Sequence, residues 1–129
     1  EGGKLNEEQK KLHDLAYENI KYNEQLIKPG MTFREFAEKA WKLPDNCYDN
    51  HYPCQVHGVG MCDEWPFIAY PNKDYNNADF SGMFEENMTI TIESYIGEVG
   101  GREGVKLEDQ YLVTTKGLKL LTKHPLNQI

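Results

Sequence analysis

One histidine and two glutamates, His57, Glu93 and Glu108, are of the types that can share a metal ion, and each sits in a short stretch of distinctive composition. His57 opens His57-Gly58-Val59-Gly60, where the glycines would let the backbone pass close to an ion or ligand. Glu93 closes the alternating run Met88-Thr89-Ile90-Thr91-Ile92-Glu93, placing a carboxylate at the end of a strand-like pattern. Glu108 lies in Gly104-Val105-Lys106-Leu107-Glu108-Asp109, a second strand-like stretch with an acid where an apolar residue is the default. One imidazole with carboxylates makes a hard, oxygen-rich donor set, suited to zinc, manganese, iron or cobalt rather than to a thiolate site. Taken singly, each residue has an ordinary reading: a histidine beside glycines is usually a surface or satisfied core residue, and an acid at a strand end is usually solvated.

The elements that must position these residues run helices first, strands afterwards. Asn6-Glu7-Glu8-Gln9 reads as an N-cap with a capping-box Gln, and Leu12, Leu15, Ala16, Ile20, Leu26 and Ile27 follow at helical spacing. This predicts a first helix of about five turns, stopped by Lys28-Pro29-Gly30. Thr32-Phe33-Arg34-Glu35 is a second capping box, opening a short helix through Phe36, Ala37 and Ala40 to Trp41, and Pro44, Asp45 and Asn46 then end the helical part. From Tyr48 onward the texture is short strands broken by glycines and by the polar, aromatic loop Tyr70 to Asn77, which is long enough to shape a pocket. Gly97 to Gly104 reads as a tight β-connection, since no helix start follows it to make a phosphate cradle. The organisation is a single partial domain over 1–129, helical over 6–42 and β-rich over 48–122.

Composition removes several classes of function. With 14 basic and 21 acidic residues the 129-residue chain is net negative by 7, which disfavours nucleic-acid or anionic-membrane partners. No apolar run approaches the ~20 residues of a membrane span, and the start lacks a signal-peptide core. Cys47, Cys54 and Cys62 are odd in number and form no C-x-x-C pair, so they read as reduced thiols of a cytoplasmic protein. The opening Glu1-Gly2-Gly3 reads as a cut rather than a natural start.

A larger pattern joins these pieces. Lys28-Pro29-Gly30-Met31-Thr32, then His57 to Gly60, then Glu86-Asn87-Met88 leading to Glu93, then Gly104 to Asp109, then Leu112-Val113-Thr114, Gly117 and Leu121-Thr122, resembles the C-terminal half of the creatinase, prolidase and methionine aminopeptidase superfamily. The match runs in order over about three quarters of the chain, and order and spacing carry it more than any single piece. The resemblance implies an α+β fold, the C-terminal half of a pita-bread domain, with helices packed on a curved, mainly antiparallel sheet. It implies two divalent ions (iron, zinc or manganese) held by two aspartates, one histidine and two glutamates. By matching motif the histidine is His57 and the glutamates are Glu93 and Glu108, while the aspartates would lie upstream of the first helix. On that reading the chain is a C-terminal fragment with three of five ligands, inactive or nearly so by itself, since ligands act together. An uncovered apolar sheet face would then draw two copies into a homodimer.

The departure from the peptidase pattern is the most telling part. Prolidase-like members resemble HGVG followed by a second histidine that contacts substrate, whereas this chain reads Met61-Cys62-Asp63-Glu64-Trp65-Pro66 after Gly60. Asp63 stands near that histidine's place, six positions after His57. Losing an imidazole and gaining a carboxylate favours proton abstraction over peptide hydrolysis. The stretches His57 to Pro66 and Glu93 to Gln110 resemble the branch that cleaves dimethylsulfoniopropionate. That resemblance implies a metal-dependent β-elimination of this small-molecule substrate to dimethyl sulfide and acrylate, with Asp63 as the base. A sulfonium is welcomed by aromatic faces, each worth ~0.5–2 kcal/mol. Tyr52 and Trp65 are the first candidates, with Tyr70 and Tyr95 behind them; core or rim packing is the ordinary role of all four. His51 reads as a surface residue, His13 and His124 have no partner pattern, and Arg102 reads as a structural salt bridge within its glycine-rich turn. Two other readings stay open: an Xaa-Pro metallopeptidase or related hydrolase, and a non-catalytic binding module on the same fold.

Overall fold

The computed structural model describes residues 4–71 and 80–127. The first helix, α1 (Glu7–Leu26), starts where the capping box places it: Asn6 Oδ1 accepts the Gln9 amide at 2.8 Å and Gln9 Oε1 accepts the Asn6 amide at 3.0 Å. Two backbone donors that a helix start leaves unpaired are thus satisfied reciprocally. Leu12, Ala16 and Ile20 form its buried stripe, together with Asn19 and Asn23. Those asparagines tie α1 to the chain at Trp41, because Asn23 Nδ2 donates to Asn19 Oδ1 at 3.0 Å and Asn23 Oδ1 accepts the Trp41 amide at 2.9 Å.

The second helix, α2 (Phe33–Lys39), forms half of its expected capping box. Thr32 Oγ1 accepts the Glu35 amide at 3.1 Å, while the Glu35 carboxylate turns outward to Lys39 at 2.6 Å. The helix stops at Lys39, two residues short of Trp41, because Ala40 has extended backbone with ψ 156°. Pro44 opens a further turn, α3 (Asp45–Tyr48), instead of ending the helical part. Proline suits that place because it has no N–H for a helix start to leave unsatisfied.

Five strands follow: β1 (Cys54–Val59), β2 (Asp63–Ala69), β3 (Thr89–Ile96), β4 (Val105–Thr114) and β5 (Gly117–Leu120). They form one sheet in the order β2-β1-β3-β4-β5, every neighbouring pair antiparallel. The α+β fold with helices on an antiparallel sheet is therefore as expected. Residues 97–104 are the expected β-connection between β3 and β4. Of the expected loop Tyr70 to Asn77, residues 72–77 lie outside the described residues.

Strand alternation divides the sheet into two faces. Val56, Ile90, Ile92, Tyr111 and Val113 turn one way and pack with Ile20, Phe33, Phe36 and Phe84 into the main core. A second cluster gathers Leu12, Ala16, Leu43, Cys47, Tyr70 and Ile96. Fully burying an aliphatic or aromatic side chain contributes about 1.5–3 kcal/mol, so these clusters hold the helices to the sheet. The opposite face is not the apolar surface expected of it. It carries the cross-strand row His57–Thr91–Gln110 and, one step along, the pair Glu93–Glu108.

Candidate active site

The register brings the three candidate ligands together. His57 pairs with Thr91 across β1 and β3, and Glu93 pairs with Glu108 across β3 and β4, so all three side chains leave the same face of neighbouring strands. His57 Nε2 lies 3.7 Å from Glu93 Oε2 and 3.7 Å from Glu108 Oε1. These separations are too long for hydrogen bonds. They fall within the ~4.2 Å that two ligands, each about 2.1 Å from one ion, can span.

The imidazole is oriented from behind. His57 Nδ1 lies 2.9 Å from the Gly58 carbonyl oxygen, so it carries the proton that this acceptor takes, leaving the Nε2 lone pair toward the glutamates. The glycines expected to admit a ligand serve the sheet instead. A Cβ on Gly58 would run into the Trp65 carbonyl oxygen on β2, and one on Gly60 would stand 2.7 Å from the Glu64 side chain. Their smallness lets β2 close over the end of β1 at the bulge between His57 and Gly58.

Glu93 stands in the middle of β3, not at the end of a strand, and its side chain is 2% exposed. A buried carboxylate needs partners. Lys106, two residues before Glu108 on β4, binds Glu93 Oε1 in a very short ion pair, and the Cys54 thiol donates to Oε2 at 3.5 Å. Burial, reinforced by the Glu93 charge, pushes the Cys54 thiol far up, so it stays a neutral donor. Burial pulls the Lys106 ammonium down, but its bond and attraction to Glu93 outweigh this and raise its pKa overall. Lys106 Nζ also sits 4.2 Å from the Tyr52 ring centroid.

Asp63, at the start of β2, is well exposed, with Oδ1 3.7 Å from His57 Nδ1. It shares with His57, Thr91, Glu108, Gln110 and Thr122 an open cavity of about 380 Å³. Trp65 does not line this cavity. Its ring packs edge-on against Phe33 at 5.2 Å and beside Gly82, within the irregular stretch of β2 where the register shifts between Glu64 and Phe67. Of the two first-choice aromatics only Tyr52 reaches the site, and there it meets Lys106. Tyr70 is buried in the second core cluster.

Four residues of this neighbourhood lay outside the expected site: Cys54, Thr91, Lys106 and Gln110. Three were within reach of sequence reasoning, since counting by twos from Glu93 gives Thr91 and from Glu108 gives Lys106 and Gln110. The buried Thr91 hydroxyl has no partner among the described residues. The remaining candidates resolve as structure. His13 Nε2 lies 2.7 Å from the Leu126 carbonyl and ties the last residues to α1. The His51 ring lies against Tyr48 and Tyr70, with centroids 5.3 and 5.1 Å away. Arg102 is exposed and makes no ion pair among the described residues, so the expected salt bridge is not formed there.

Comparison with known proteins accounts for the arrangement. The family model for metallopeptidase family M24 matches residues 2–115. The chain belongs to family M24. A dimethylsulfoniopropionate lyase of Roseovarius nubinhibens is 38% identical over 112 residues, 87% of this chain and 25% of that protein. A Xaa-Pro dipeptidase of Pyrococcus furiosus is 34% identical over 126 residues, 94% of this chain and 33% of that protein. The prolidase structure from Pyrococcus horikoshii superposes with a TM-score of 0.73 at 30% identity, covering 98% of this chain and 35% of that one. This M24 chain thus spans about a quarter to a third of the length of these relatives. No described helix is long and apolar enough to cross a membrane.

M24 enzymes are metal-dependent, which makes the donor set the point to test. Its chemistry fits a divalent ion: a buried, tautomer-fixed imidazole nitrogen faces two carboxylate oxygens. Its arrangement is unfinished, since among the described residues no three His, Cys, Asp or Glu side chains form a ready metal-binding group. Glu93 is engaged by Lys106, and the Glu108 side chain is 42% exposed.

Proposed function

We propose that this M24 chain carries the metal-ligand and base residues of a lyase that cleaves dimethylsulfoniopropionate to dimethyl sulfide and acrylate. The observation that carries this reading is Asp63: an exposed carboxylate beside His57, in the same cavity as Glu108. The 38% identity to a dimethylsulfoniopropionate lyase supports it. His57, Glu93 and Glu108 would hold a divalent ion, iron, zinc or manganese. When bound, the ion would supply Lewis acidity toward the substrate carboxylate.

The chain's own residues do the rest. Asp63 takes the proton from the carbon next to the substrate carboxylate. The electrons of that C–H bond form the double bond to the neighbouring carbon. The C–S bond breaks, its pair leaves on neutral dimethyl sulfide, and acrylate remains; Asp63 then gives its proton to water. Exposure suits a base that must exchange protons with solvent at each turnover. The sulfonium needs an electron-rich surface, and the face of the Tyr52 ring that Lys106 does not cover would offer one.

Headspace measurement of dimethyl sulfide from the native protein that carries this chain, supplied with each metal, tests the reading. Release is expected, and Asp63→Asn should lower it by at least 100-fold. Release that survives the substitution removes Asp63 as the base. Turnover of Xaa-Pro dipeptides without dimethyl sulfide would replace the lyase by the second reading, which the 34% identity to a Xaa-Pro dipeptidase favours.

A further inference from the structure

Glu93 has two oxygens with different environments. Oε2 faces His57 Nε2 at 3.7 Å and accepts from Cys54 Sγ at 3.5 Å, whereas Oε1 is bound by Lys106. Lys106 is held in turn by Tyr52, whose ring centroid lies 4.2 Å from Nζ. A strand carboxylate can rotate about its last torsion and present either oxygen or both. Here the rotation is fixed from two sides, and only one oxygen is turned to the imidazole.

We propose that Lys106, seated on Tyr52, is the positioning residue that makes Glu93 a one-oxygen ligand, locking Oε1 so that Oε2 points at the ion held with His57 and Glu108. This deepens the reading above and rests on it for the presence of an ion. The role is separable from charge, because the two act in opposite directions. An ammonium near a cation repels it, so removing the charge alone should tighten metal binding. Removing an orienting partner should loosen it, by the 10–100-fold typical of groups that hold a ligand in place.

Calorimetric titration of the metal-free protein with Zn²⁺ or Mn²⁺, with Co²⁺ as a spectroscopic probe, separates the cases. Lys106→Met is expected to weaken binding 10–100-fold and change the Co²⁺ visible spectrum, with circular dichroism unchanged. Lys106→Arg, which can still donate to Oε1, should return affinity to within about threefold of wild type, and Tyr52→Leu should give a smaller loss in the same direction. Unchanged or tighter binding by a folded Lys106→Met variant overturns the assignment. Should Lys106→Met fail to fold, Lys106→Gln, which keeps a donor but no charge, takes its place: near-wild-type affinity and spectrum support positioning, and a loss equal to that of His57→Ala overturns it. A wild-type protein that binds no metal fails the reading beneath this one, an outcome distinct from either.

Discussion

The two faces of the sheet are built from alternate residues of the same strands, yet they obey different rules. On β3, Ile90 and Ile92 point to the helices while Thr91 and Glu93 point to the site, and all four are buried. On the helix side, burial is matched by apolar contact from α1 and α2. On the other side a carboxylate, an imidazole and a hydroxyl are buried, and the Thr91 hydroxyl has no partner among the described residues. The helix side also holds buried polar groups, Asn19, Ser94 and Asp109, but they sit among the apolar side chains of the core, whereas on the other side the buried imidazole lines an open cavity.

This contrast is broken most directly at its extremes. Phe36 is fully buried among Phe84 and the sheet residues, and its ring meets that of Phe84 at 5.7 Å. Phe36→Ala should cost about 3–5 kcal/mol, read as a fall in the urea midpoint. Glu108→Ala, on the half-exposed edge of the site, should leave stability within about 0.5 kcal/mol of wild type while lowering metal affinity by more than tenfold. A Glu108 variant that loses stability as heavily as Phe36→Ala would mean the open face also holds the fold together.

Alkaline titration sharpens the comparison, because each face has a buried group whose pKa is raised. Burial and the Glu93 charge act on Cys54; burial, with the Glu24 and Asp109 charges, acts on Tyr111. In both cases the folded state binds the proton more tightly than the unfolded chain does. The resulting stability is fully present below the ordinary thiol or phenol range and is lost as pH rises through it. Stability should begin to fall above about pH 8.5 through Cys54 and steepen above about pH 10 through Tyr111. Cys54→Ala should remove the first part and Tyr111→Phe the second. A pH profile flat to pH 11 would contradict both assignments.

How much of this was legible depends on whether a feature is local. The α1 cap and the stripe Leu12, Ala16, Ile20 were readable because Asn6, Gln9 and the apolar spacing act within a few residues. The antiparallel α+β sheet and the gathering of His57, Glu93, Glu108 and Asp63 followed from a long ordered resemblance. Tertiary register escaped. Trp65 packs against Phe33 and not in the cavity with Asp63 because it lies in the irregular stretch of β2 between Glu64 and Phe67, and such bulges leave no clear mark in a strand pattern. The glycines of His57 to Gly60 suggested room for a ligand, but their space is filled by β2. Counting by twos puts Lys106 on the side of Glu108, but that Glu93 lies diagonally across from it depends on the β3–β4 register, which no local pattern reveals.

A smaller effect comes from the start of α1. Asn6→Ala removes the acceptor for the Gln9 amide and should cost about 1 kcal/mol, while Asn6→Ser or Asn6→Asp should restore most of it. Thermal denaturation resolves that difference. A loss as large as that of Phe36→Ala would mean that the cap anchors the whole helix-covered face and not one helix turn.

The smallest predicted effect compares two lysine–glutamate pairs. Lys39–Glu35 joins exposed side chains at 2.6 Å along α2, and Lys106–Glu93 joins a half-exposed lysine to a buried carboxylate on the sheet. Their close contacts would suggest equal worth, but the surroundings do not. Water already solvates both members of the α2 pair, so Lys39→Ala should change stability by only about 0.3–0.5 kcal/mol, and 1 M salt should erase the difference. Removing Lys106 strands a carboxylate with water excluded from it, so the loss should be severalfold larger and persist in salt. Equal, salt-sensitive losses from Lys39→Ala and Lys106→Met would show that solvent reaches Glu93 freely and that its pair with Lys106 is worth no more than a surface pair.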